Sequence, residues 1–388
     1  MMPILFKDIR VIDSDSDRNA NILIADFSCK EIKYPGLKSS FTEIAGEKDL
    51  ALLPSFLDLH CHLRDPGYTY KEDLESGNRA ALSGGFTTIC PMANTMPVCD
   101  NPDTIKYIIN KAKTLNMCEV IPVSAVTKSL NTGQMVDFAS MTKYTRLFSN
   151  DGVPITDKKI MIDALQSSLS YNFKLLTHCE PEAEMIERDL DLLRIYGGNL
   201  HICHVSKKES VELIRAAKND GLNVTCEVTP HHLFSYGLDY IVHPPFREKK
   251  DAEELLKGLL DKTIDIIATD HAPHSIADKE KGARGLIGLE HAFSLVYTIF
   301  KKNNIDIRLL SRLMSANPAN ILNKRVIHFN KKVNANLILV DLAKKYKIGE
   351  KRINSKSKNT PFTDQTVYGE ILMTIKNGEI KYDNRYTI

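Results

Sequence analysis

The sequence has almost no excess of charge of either sign, and it lacks any long apolar run. Its 51 lysines and arginines are balanced by 49 aspartates and glutamates, which leaves a net charge of +2 over 388 residues. A field this weak gives no reason to expect a nucleic-acid partner. No apolar stretch approaches the length of a membrane span, so we expect no membrane partner either. The sequence also contains no tandem repeat and no low-complexity segment.

Paired-cysteine motifs are missing as well. Eight cysteines occur without a Cys-x-x-Cys spacing, and several lie inside apolar, strand-like runs. This usage predicts reduced, buried thiols and, together with a start that lacks a charged leader, a cytoplasmic protein. At 43% hydrophobic and 26% charged residues, the chain is expected to fold as a globular protein without covalent cross-links.

The most informative stretch is His60-Cys61-His62-Leu63-Arg64, which ends the apolar run 52–59. Alternate residues of a strand project from one face, so His60 and His62 can offer two imidazoles to one metal ion while the intervening cysteine points the other way. Arg64 extends that face and can hold an anionic substrate group beside the metal. Taken alone, the pair fits a buried strand with two ordinary histidines equally well.

Short β-rich runs alternate with amphipathic helical stretches between residues 54 and 330. There are eight such runs, at 56–63, 86–92, 118–126, 144–149, 173–178, 200–205, 223–229 and 264–270. The helical periodicity between them is clear at 210–219, where Val211, Ile214 and Ala217 share one face before Gly221. Eight βα repeats with apolar strands predict an α/β protein with a closed (β/α)8 TIM barrel, whose active site lies at the C-terminal strand ends.

The two ends of the chain have a different pattern. Residues 1–53 and 331–388 contain short strands, such as Ile9–Ile12 and Ile371–Ile375, which polar turns separate. Neither end has enough strands to be stable alone. We therefore predict that 1–53 and 331–388 together form a small β-sandwich domain, and that 54–330 forms the barrel.

Further metal-binding side chains fall at the ends of the predicted barrel strands. His178, His204 and Asp270 end the fifth, sixth and eighth runs, and Asp151 follows the fourth. With the two histidines of the first strand, they place four imidazoles and two carboxylates on one rim. This donor set suits two divalent ions, zinc above all, with one carboxylate bridging them. Such a pair, typically about 3.5 to 4 Å apart, lowers the pKa of a shared water and polarises a carbonyl oxygen.

Four other histidines lie near these ligands in the sequence. They are His201, His231, His232 and His271. Because they occupy the same neighbourhoods, they could be mistaken for ligands. We predict that each has a structural or supporting role instead.

Longer motifs extend the pattern over nearly the whole chain. They are the segments Pro54–Gly67, Gly84–Thr88, Asn94–Pro97, Phe148–Gly152, His178–Glu180, Cys203–Ser206, Thr229–His232, Ala268–His274 and Gly288–Glu290. The first segment and the Asp-His-Ala-Pro-His sequence at 270–274 are the most specific. With these motifs the chain resembles the dihydroorotases of the amidohydrolase superfamily, in the bacterial type that has an aspartate in place of a carboxylated lysine.

The resemblance implies a role for each matched residue. It implies a zinc cofactor of one or two ions per subunit, two being favoured, with these ligands: His60, His62, Asp151, His178, His204 and Asp270. In this scheme Asp151 bridges the ions, and Asp270 is also the catalytic general base and acid. Residues matched to substrate binding are His62, Arg64, Asn94, His243, His274, Arg284 and Gly285. Of these, Arg64, Asn94 and His274 match the positions that hold the substrate's free carboxylate.

The implied activity is the reversible cyclisation of N-carbamoyl-L-aspartate to L-dihydroorotate with release of water, the third step of de novo pyrimidine biosynthesis. In ring opening, an activated water attacks the cyclic amide carbonyl while Asp270 takes its proton and passes it to the leaving nitrogen. The implied partners are this small-molecule substrate and further copies of the chain in a homo-oligomer, with a dimer favoured. A complex with aspartate carbamoyltransferase is also compatible with the resemblance.

Two alternative functions stay open. A hydantoinase, dihydropyrimidinase or allantoinase activity is opposed by the missing carboxylated lysine and by the matched carboxylate-binding residues. A non-catalytic paralogue that supports aspartate carbamoyltransferase is opposed by the complete set of ligands, since inactive relatives usually lose them.

The sequence departs from the family pattern at several points. His243 replaces an asparagine before Pro-Pro, and Ala93 replaces a proline. Arg284 precedes Gly285 where the family has phenylalanine, which adds a second guanidinium near the expected substrate. The segment between His178 and His204 is shorter than expected for this bacterial type, which could alter water exclusion or partner docking.

Overall fold

The computed structural model describes residues 2–33, 41–131, 133–349 and 353–385. All eight cysteines lie in these ranges as buried free thiols, as predicted. Within the same ranges, none of the helices has the length and apolar character needed to cross a membrane.

The secondary structure alternates strands and helices through the middle of the chain and has strands alone near both ends. The strands are β1 (Ile4–Ile12), β2 (Asp17–Ala25), β3 (Ser28–Glu31), β4 (Thr42–Ala45), β5 (Leu50–Pro54), β6 (Phe56–Cys61), β7 (Phe86–Pro91), β8 (Glu119–Val120), β9 (Leu147–Ser149), β10 (Lys174–Thr177), β11 (Leu200–Ile202), β12 (Val224–Val228), β13 (Ile266–Ile267), β14 (Val333–Asn334), β15 (Leu337–Lys347), β16 (Thr366–Lys376) and β17 (Glu379–Asp383). The α-helices are α1 (Leu74–Ser83), α2 (Pro102–Leu115), α3 (Phe138–Met141), α4 (Lys158–Ser170), α5 (Glu182–Tyr196), α6 (Lys208–Asn219), α7 (Pro230–Phe234), α8 (Lys249–Leu260), α9 (Ile276–Glu280), α10 (Ala292–Lys302), α11 (Ile307–Ser311) and α12 (Asn317–Ile321), with a 3-10 turn at Lys128–Leu130 and a π turn at Arg312–Ala316.

The eight parallel strands β6 to β13 close into a barrel. Ladders join β6 to β8 and β9 to β13 in chain order. Parallel bridges between Ser124 and Phe148 and between Cys61 and His271 close the two remaining gaps. The predicted (β/α)8 barrel is therefore confirmed.

Several barrel strands are shorter than the apolar runs that predicted them. The run 264–270, for example, contributes only Ile266–Ile267 to a ladder. His204 and Asp270 have φ values of +33° and +45°, which lie outside the extended region and interrupt the regular ladder, although single hydrogen bonds continue past both residues. The chain thus leaves the ladder at the positions where it carries polar side chains to the rim.

The helices pack their apolar faces on the barrel as the periodicity predicted. In α6, Val211, Ile214 and Ala217 are buried in the same cluster as the barrel strands. Gly221 follows with φ = +81°, a conformation that favours glycine and turns the chain toward β12. These contacts bury the apolar face of α6 against the barrel.

Both chain ends contribute to one β domain, as predicted. Within the described ranges, its nine strands are hydrogen-bonded in a single mixed sheet, in the order β14-β3-β2-β1-β5-β15-β16-β17 with β4 on β1, rather than in two separate sheets. In β15, Leu337 and Leu339 pack inside this domain, whereas Ile338 and Val340 pack against the barrel. Only Ser55 separates β5 from β6, and Ala51 and Leu53 of β5 are buried in the same apolar cluster as Phe56 of β6. The exact division at 1–53, 54–330 and 331–388 stays a prediction.

Candidate active site

Two predicted ligands lie at the C-terminal end of the first barrel strand. His60 belongs to β6, and the His62 N–H continues the pairing by donating to the His271 carbonyl (2.7 Å). The extended backbone sends both imidazoles to the same side, with ring centroids 5.5 Å apart. Cys61 is fully buried among apolar side chains. This strand end therefore presents two imidazoles to the barrel rim, as expected.

Asp151 is the residue that joins the predicted ligands. It follows β9, and its Oδ1 lies 3.3 Å from His60 Nε2, 3.6 Å from His178 Nδ1 and 3.5 Å from His204 Nε2. Its Oδ2 lies 3.4 Å from His62 Nε2. Burial opposes ionisation of this carboxyl, but the imidazoles of His60 and His178 hold its pKa well below the ordinary value. Asp151 is thus an anion placed between two pairs of histidines.

The second pair of histidines comes from neighbouring strands. His178 follows β10 and His204 follows β11. His178 Nδ1 and His204 Nε2 are 2.9 Å apart, and the two rings meet nearly at right angles. These two nitrogens therefore converge on Oδ1 of Asp151, the oxygen that His60 Nε2 also faces.

The cluster has the chemistry of a metal centre. His60 Nε2 and Asp151 Oδ1 are buried and form no hydrogen bond with any described residue, a state that costs about 1–3 kcal/mol for each buried polar atom. The ligand atoms of His60, His62 and Asp151 lie within 4.8 Å of one another, and so do those of Asp151, His178 and His204. Imidazole and carboxylate donors in two groups that share one carboxylate fit two divalent cations.

Asp270 brings a second carboxylate to this cluster. It follows β13, and its N–H donates to the His60 carbonyl (2.9 Å). Its Oδ1 lies 3.2 Å from His62 Nε2 and 3.5 Å from His60 Nε2. Burial opposes ionisation, but the two imidazoles lower the pKa of Asp270, so that it is a carboxylate at neutral pH. All six predicted ligands thus meet at one rim, while their individual roles stay predictions.

Glu227 was not predicted from the sequence. It is fully buried in β12, its Oε1 accepts a 2.6 Å hydrogen bond from His60 Nδ1, and its Oε2 lies 3.0 Å from His201 Nε2. The first bond fixes a proton on Nδ1, so that Nε2 is the nitrogen of His60 that faces Asp151. Burial opposes ionisation, but His60 and His201 lower the pKa of Glu227 to about 2. An acidic residue inside an apolar strand run is the signal that could have identified it.

Four histidines near the ligands were predicted to have supporting roles. Two of them, His201 and His232, form contacts other than with the metal-ligand cluster. His201 contacts Glu227, as described above. His232 lies between the Thr229 hydroxyl (2.7 Å) and the Pro244 carbonyl (3.0 Å), to which its Nε2–H donates. Both contacts agree with the supporting role predicted for these residues.

The other two histidines differ from each other. His271 Nδ1 accepts from the Gly288 N–H (3.1 Å), so its Nε2 carries the proton and faces the buried Glu72 carboxylate at 3.4 Å. His231 is also buried, but neither of its ring nitrogens has a hydrogen-bond partner among the described residues. Burial holds the pKa of His231 well below its ordinary value, so this ring is neutral.

A cationic recess adjoins the ligand cluster. Arg64 donates through Nε to the Pro273 carbonyl (3.3 Å), and its Nη2 lies 3.2 Å from His274 Nε2. Lys71 Nζ donates to His274 Nδ1 (3.3 Å), which leaves the imidazole proton on Nε2. That Nε2–H donates to the Arg284 carbonyl (2.9 Å). The recess therefore holds two cations and one oriented imidazole.

The two cations of this recess, Arg64 and Lys71, differ in whether a carboxylate neutralises them. Burial lowers the pKa of Arg64 to about 10, which still leaves it cationic at neutral pH. Burial, with Arg64 and Lys71 nearby, lowers the pKa of His274 to about 3. Lys71, which was not predicted from the sequence, pairs with Asp278 at 3.5 Å, whereas no carboxylate in the described ranges forms an ion pair with Arg64. The guanidinium is thus available to an anionic group.

Asn94 and Gly285, both predicted to bind substrate, have clear structural contacts. Asn94 Oδ1 accepts from His62 Nδ1 (2.9 Å), and its amide donates to the Asp151 carbonyl (3.4 Å). Gly285 has φ = +136°, and a Cβ at this position would lie 2.6 Å from the Ala272 Cβ. Asn94 therefore orients the predicted ligand His62. The lack of a side chain at Gly285 allows its backbone to lie close to Ala272.

The side chains of His243 and Arg284 both lie near Glu180. His243 Nε2 is 2.8 Å from Glu180 Oε2, and its ring stacks on His178 with centroids 4.9 Å apart. The Arg284 side chain is 62% exposed and its Nη1 lies 4.0 Å from Glu180. Its backbone carbonyl, rather than its guanidinium, contacts the recess. Whether these two residues bind substrate stays a prediction.

Comparison with known proteins identifies the family. A family model described as Dihydro-orotase-like matches residues 50–197. A dihydroorotase from Clostridium botulinum is 40% identical, with 98% of this chain and 100% of that protein covered. The chain belongs to the dihydroorotase family. Dihydroorotases from Caldicellulosiruptor saccharolyticus (36% identical, covering 97% of this chain and 98% of that protein) and Aquifex aeolicus (34%, covering 98% and 100%) support the same assignment.

Solved structures share the fold of this dihydroorotase-family chain. An L-hydantoinase (dihydropyrimidinase) from Arthrobacter aurescens has a TM-score of 0.87 at 21% identity, with 99% of this chain and 97% of that chain covered. A D-hydantoinase (dihydropyrimidinase) from Thermus sp. has a TM-score of 0.84 at 21% identity, covering 98% and 95%. These likenesses support the fold of a barrel with an attached β domain.

The shortened segment between two predicted ligands has a simple structure in this dihydroorotase-family chain. After His178, residues 179–181 lead directly into α5, whose N-cap is Pro181. The helix ends at Gly197 with φ = +70°, and β11 begins at Leu200. The segment therefore consists of one helix with short connections, and it adds no extended loop to the rim.

Proposed function

We propose that this chain is an active, zinc-dependent dihydroorotase that interconverts N-carbamoyl-L-aspartate and L-dihydroorotate in pyrimidine biosynthesis. The observation that carries the proposal is the convergence of four imidazoles on Asp151, with Asp270 beside them, next to a recess in which Arg64 lacks an ion-pair partner among the described residues. The cluster of imidazoles and carboxylates suits hydrolysis of an amide, and the recess at Arg64 suits binding of a carboxylate on the substrate.

Two zinc ions are the proposed cofactor. One would be held by His60, His62 and Asp270, the other by His178 and His204, with Asp151 shared. When bound, zinc supplies Lewis-acid polarisation of the amide carbonyl and acidifies the attacking water. The buried atoms that lack hydrogen-bond partners, and the nitrogen and oxygen donor set, support this assignment.

Asp270 is proposed to move the proton. Its lowered pKa makes it a carboxylate before turnover, and its Oδ1 faces the imidazoles of His60 and His62. We assign Oδ2 as the atom that takes the proton from the attacking water. The same oxygen then returns the proton to the ring nitrogen as the amide C–N bond breaks, and ring closure uses the reverse sequence.

The cationic recess is proposed to bind the substrate carboxylate. Arg64 can donate two parallel hydrogen bonds to a carboxylate, and Lys71 adds a second positive charge on the other side of His274. A cyclic ureide without this carboxylate would leave the guanidinium unpaired in a half-buried site. Such a loss costs about 1–3 kcal/mol, or roughly a tenfold to hundredfold preference for the charged ring.

The decisive experiment combines metal analysis with two substrates. We expect zinc in the purified protein, turnover of dihydroorotate and carbamoyl aspartate, and no turnover of hydantoin. The Asp270→Ala variant is expected to fold and to lose turnover, whereas Glu280→Ala, which removes an exposed carboxylate at the end of α9, should be unaffected. Activity on hydantoin alone would indicate a hydantoinase, and a folded wild-type protein inactive on every substrate would indicate a non-catalytic paralogue.

Three further properties are part of the proposal. A cytoplasmic location is supported by the eight free, buried thiols. A homo-oligomer, most simply a dimer, and a complex with aspartate carbamoyltransferase rest on the family resemblance. Size measurement of the purified protein, alone and mixed with the carbamoyltransferase of the same organism, tests both.

A further inference from the structure

A segment of the C-terminal region leaves the β sheet and lies on the barrel rim. It comprises residues 353–362, between β15 and β16, and we call it the strap. Its Asn359 contacts the loop 271–288, which begins directly after Asp270 and carries His274 and Gly285. The strap thus connects the β domain to one wall of the cationic recess.

The strap is fixed near both of its ends. The backbone N–H groups of Asn354 and Ser355 donate to the Glu290 carboxylate (2.6 and 2.9 Å), and the Ser355 hydroxyl donates to Glu72. At the other end, Phe362 is 1% exposed and its ring lies 5.4 Å from that of Phe234. A segment held at both ends can place the residue between them accurately.

The side chain of Asn359 joins the start of the loop 271–288, at Ala272 and His274, to its end, at Gly285. Its Oδ1 accepts from the His274 N–H (3.0 Å), and its Nδ2 donates to the Ala272 and Gly285 carbonyls (3.1 Å each). Its backbone carbonyl accepts from the Ile287 N–H (3.0 Å). A primary amide is the side chain that supplies one acceptor and two donors in a single plane. One residue therefore ties four backbone positions of this loop together, three of them through its side chain.

The position of this loop decides where the recess lies. His274 touches Arg64 and Lys71, and Gly285 approaches Ala272 so closely that no side chain fits between them. We infer that Asn359 is a positioning residue for substrate binding: by closing the loop 271–288, it places His274 against Arg64 to receive the substrate carboxylate. This inference rests on the proposed function.

The test compares Asn359→Ala and Asn359→Asp with the wild-type protein. Alanine removes all three side-chain hydrogen bonds, and aspartate keeps the acceptor for the His274 N–H but faces two carbonyl oxygens without a donor. We expect KM for dihydroorotate to rise about tenfold in both variants, with kcat within about twofold and zinc content unchanged. Hydrogen exchange of peptides covering 271–288 should be faster in both variants.

Asn354→Ala is the matched control. Asn354 belongs to the same strap, and its side chain bonds Glu290 (2.8 Å) without touching the loop. It should leave KM and the exchange of 271–288 unchanged. If hydrogen exchange of 271–288 were unchanged in a folded Asn359→Ala variant, the inference would be overturned, even if the wild-type protein lacked activity. Equal losses in kcat, zinc content and thermal stability would also overturn it, because they would indicate a general structural role.

Discussion

Replacing Glu227 by glutamine would test whether this carboxylate prepares His60 for a metal ion. The substitution keeps the size of the side chain, and the glutamine carbonyl can still accept from His60 Nδ1. Its NH2 group would then face His201 Nε2, which can accept because the other nitrogen of that ring lies 2.9 Å from the Thr225 hydroxyl. The variant is therefore expected to fold with the two histidines in place.

The expected loss follows from the change in charge. A hydrogen bond to a charged group contributes about 1.5–3 kcal/mol and a neutral one about 0.5–1.5 kcal/mol, so the 2.6 Å bond from His60 would weaken by about 1–1.5 kcal/mol. Since about 1.4 kcal/mol is a factor of ten, we expect zinc affinity to fall about tenfold. If the second bond to His201 weakens as well, the loss approaches a hundredfold, which is within the usual range for carboxylates that support a histidine ligand.

Zinc competition against a chromophoric chelator measures this affinity directly. Glu182→Gln is the matched control, because Glu182 is also a buried carboxylate, but it accepts from the Ser206 and Lys207 N–H groups (2.9 Å each) and touches none of the predicted ligands. Its zinc affinity should equal that of the wild-type protein. If Glu227→Gln bound zinc as tightly as the wild type, the assigned role of Glu227 in orienting His60 would be wrong.

Three other predictions address the recess, the loop and the metal. Arg64→Lys keeps the charge but loses the planar pair of donors, so steady-state kinetics should show at least a tenfold rise in KM for dihydroorotate with kcat changed by less than about threefold. Gly285→Ala introduces a Cβ 2.6 Å from that of Ala272 and should lower the free energy of unfolding in urea by about 1–3 kcal/mol; Gly282→Ala, where nothing lies within 4 Å, should cost less. Removal of zinc with dipicolinate should lower the melting temperature, and added zinc should restore it, because the buried cluster would otherwise lack partners.

The barrel was predictable because its signals are local. Each apolar run is short enough to be a strand, and each is followed by a helical pattern such as Val211, Ile214 and Ala217 in α6. The parallel arrangement then requires that residues at strand ends share one rim. For this reason His178 and His204 could be expected near His60, although more than a hundred residues separate them from it.

The supporting residues were harder to predict because their contacts are set by packing at long range. Glu227 is one acidic residue in a strand, and only the assembled barrel places it on His60 Nδ1. Asn359 lies in a polar stretch between β15 and β16, and its partners Ala272 and Gly285 are more than 70 residues away. The positive φ of His204 likewise depends on its surroundings, since no local sequence feature requires it.

The pairing of β5 with β15 has a consequence for synthesis of the chain. Leu50–Pro54 forms its antiparallel ladder with Leu337–Asp341, so one edge of β5 has no partner until about 290 further residues have been made. During that interval an apolar strand with open backbone groups is exposed beside a barrel that is still being completed, which favours aggregation. We expect newly made protein to depend on chaperones until β15 is released, and a fragment that stops before β15 to be insoluble when expressed alone.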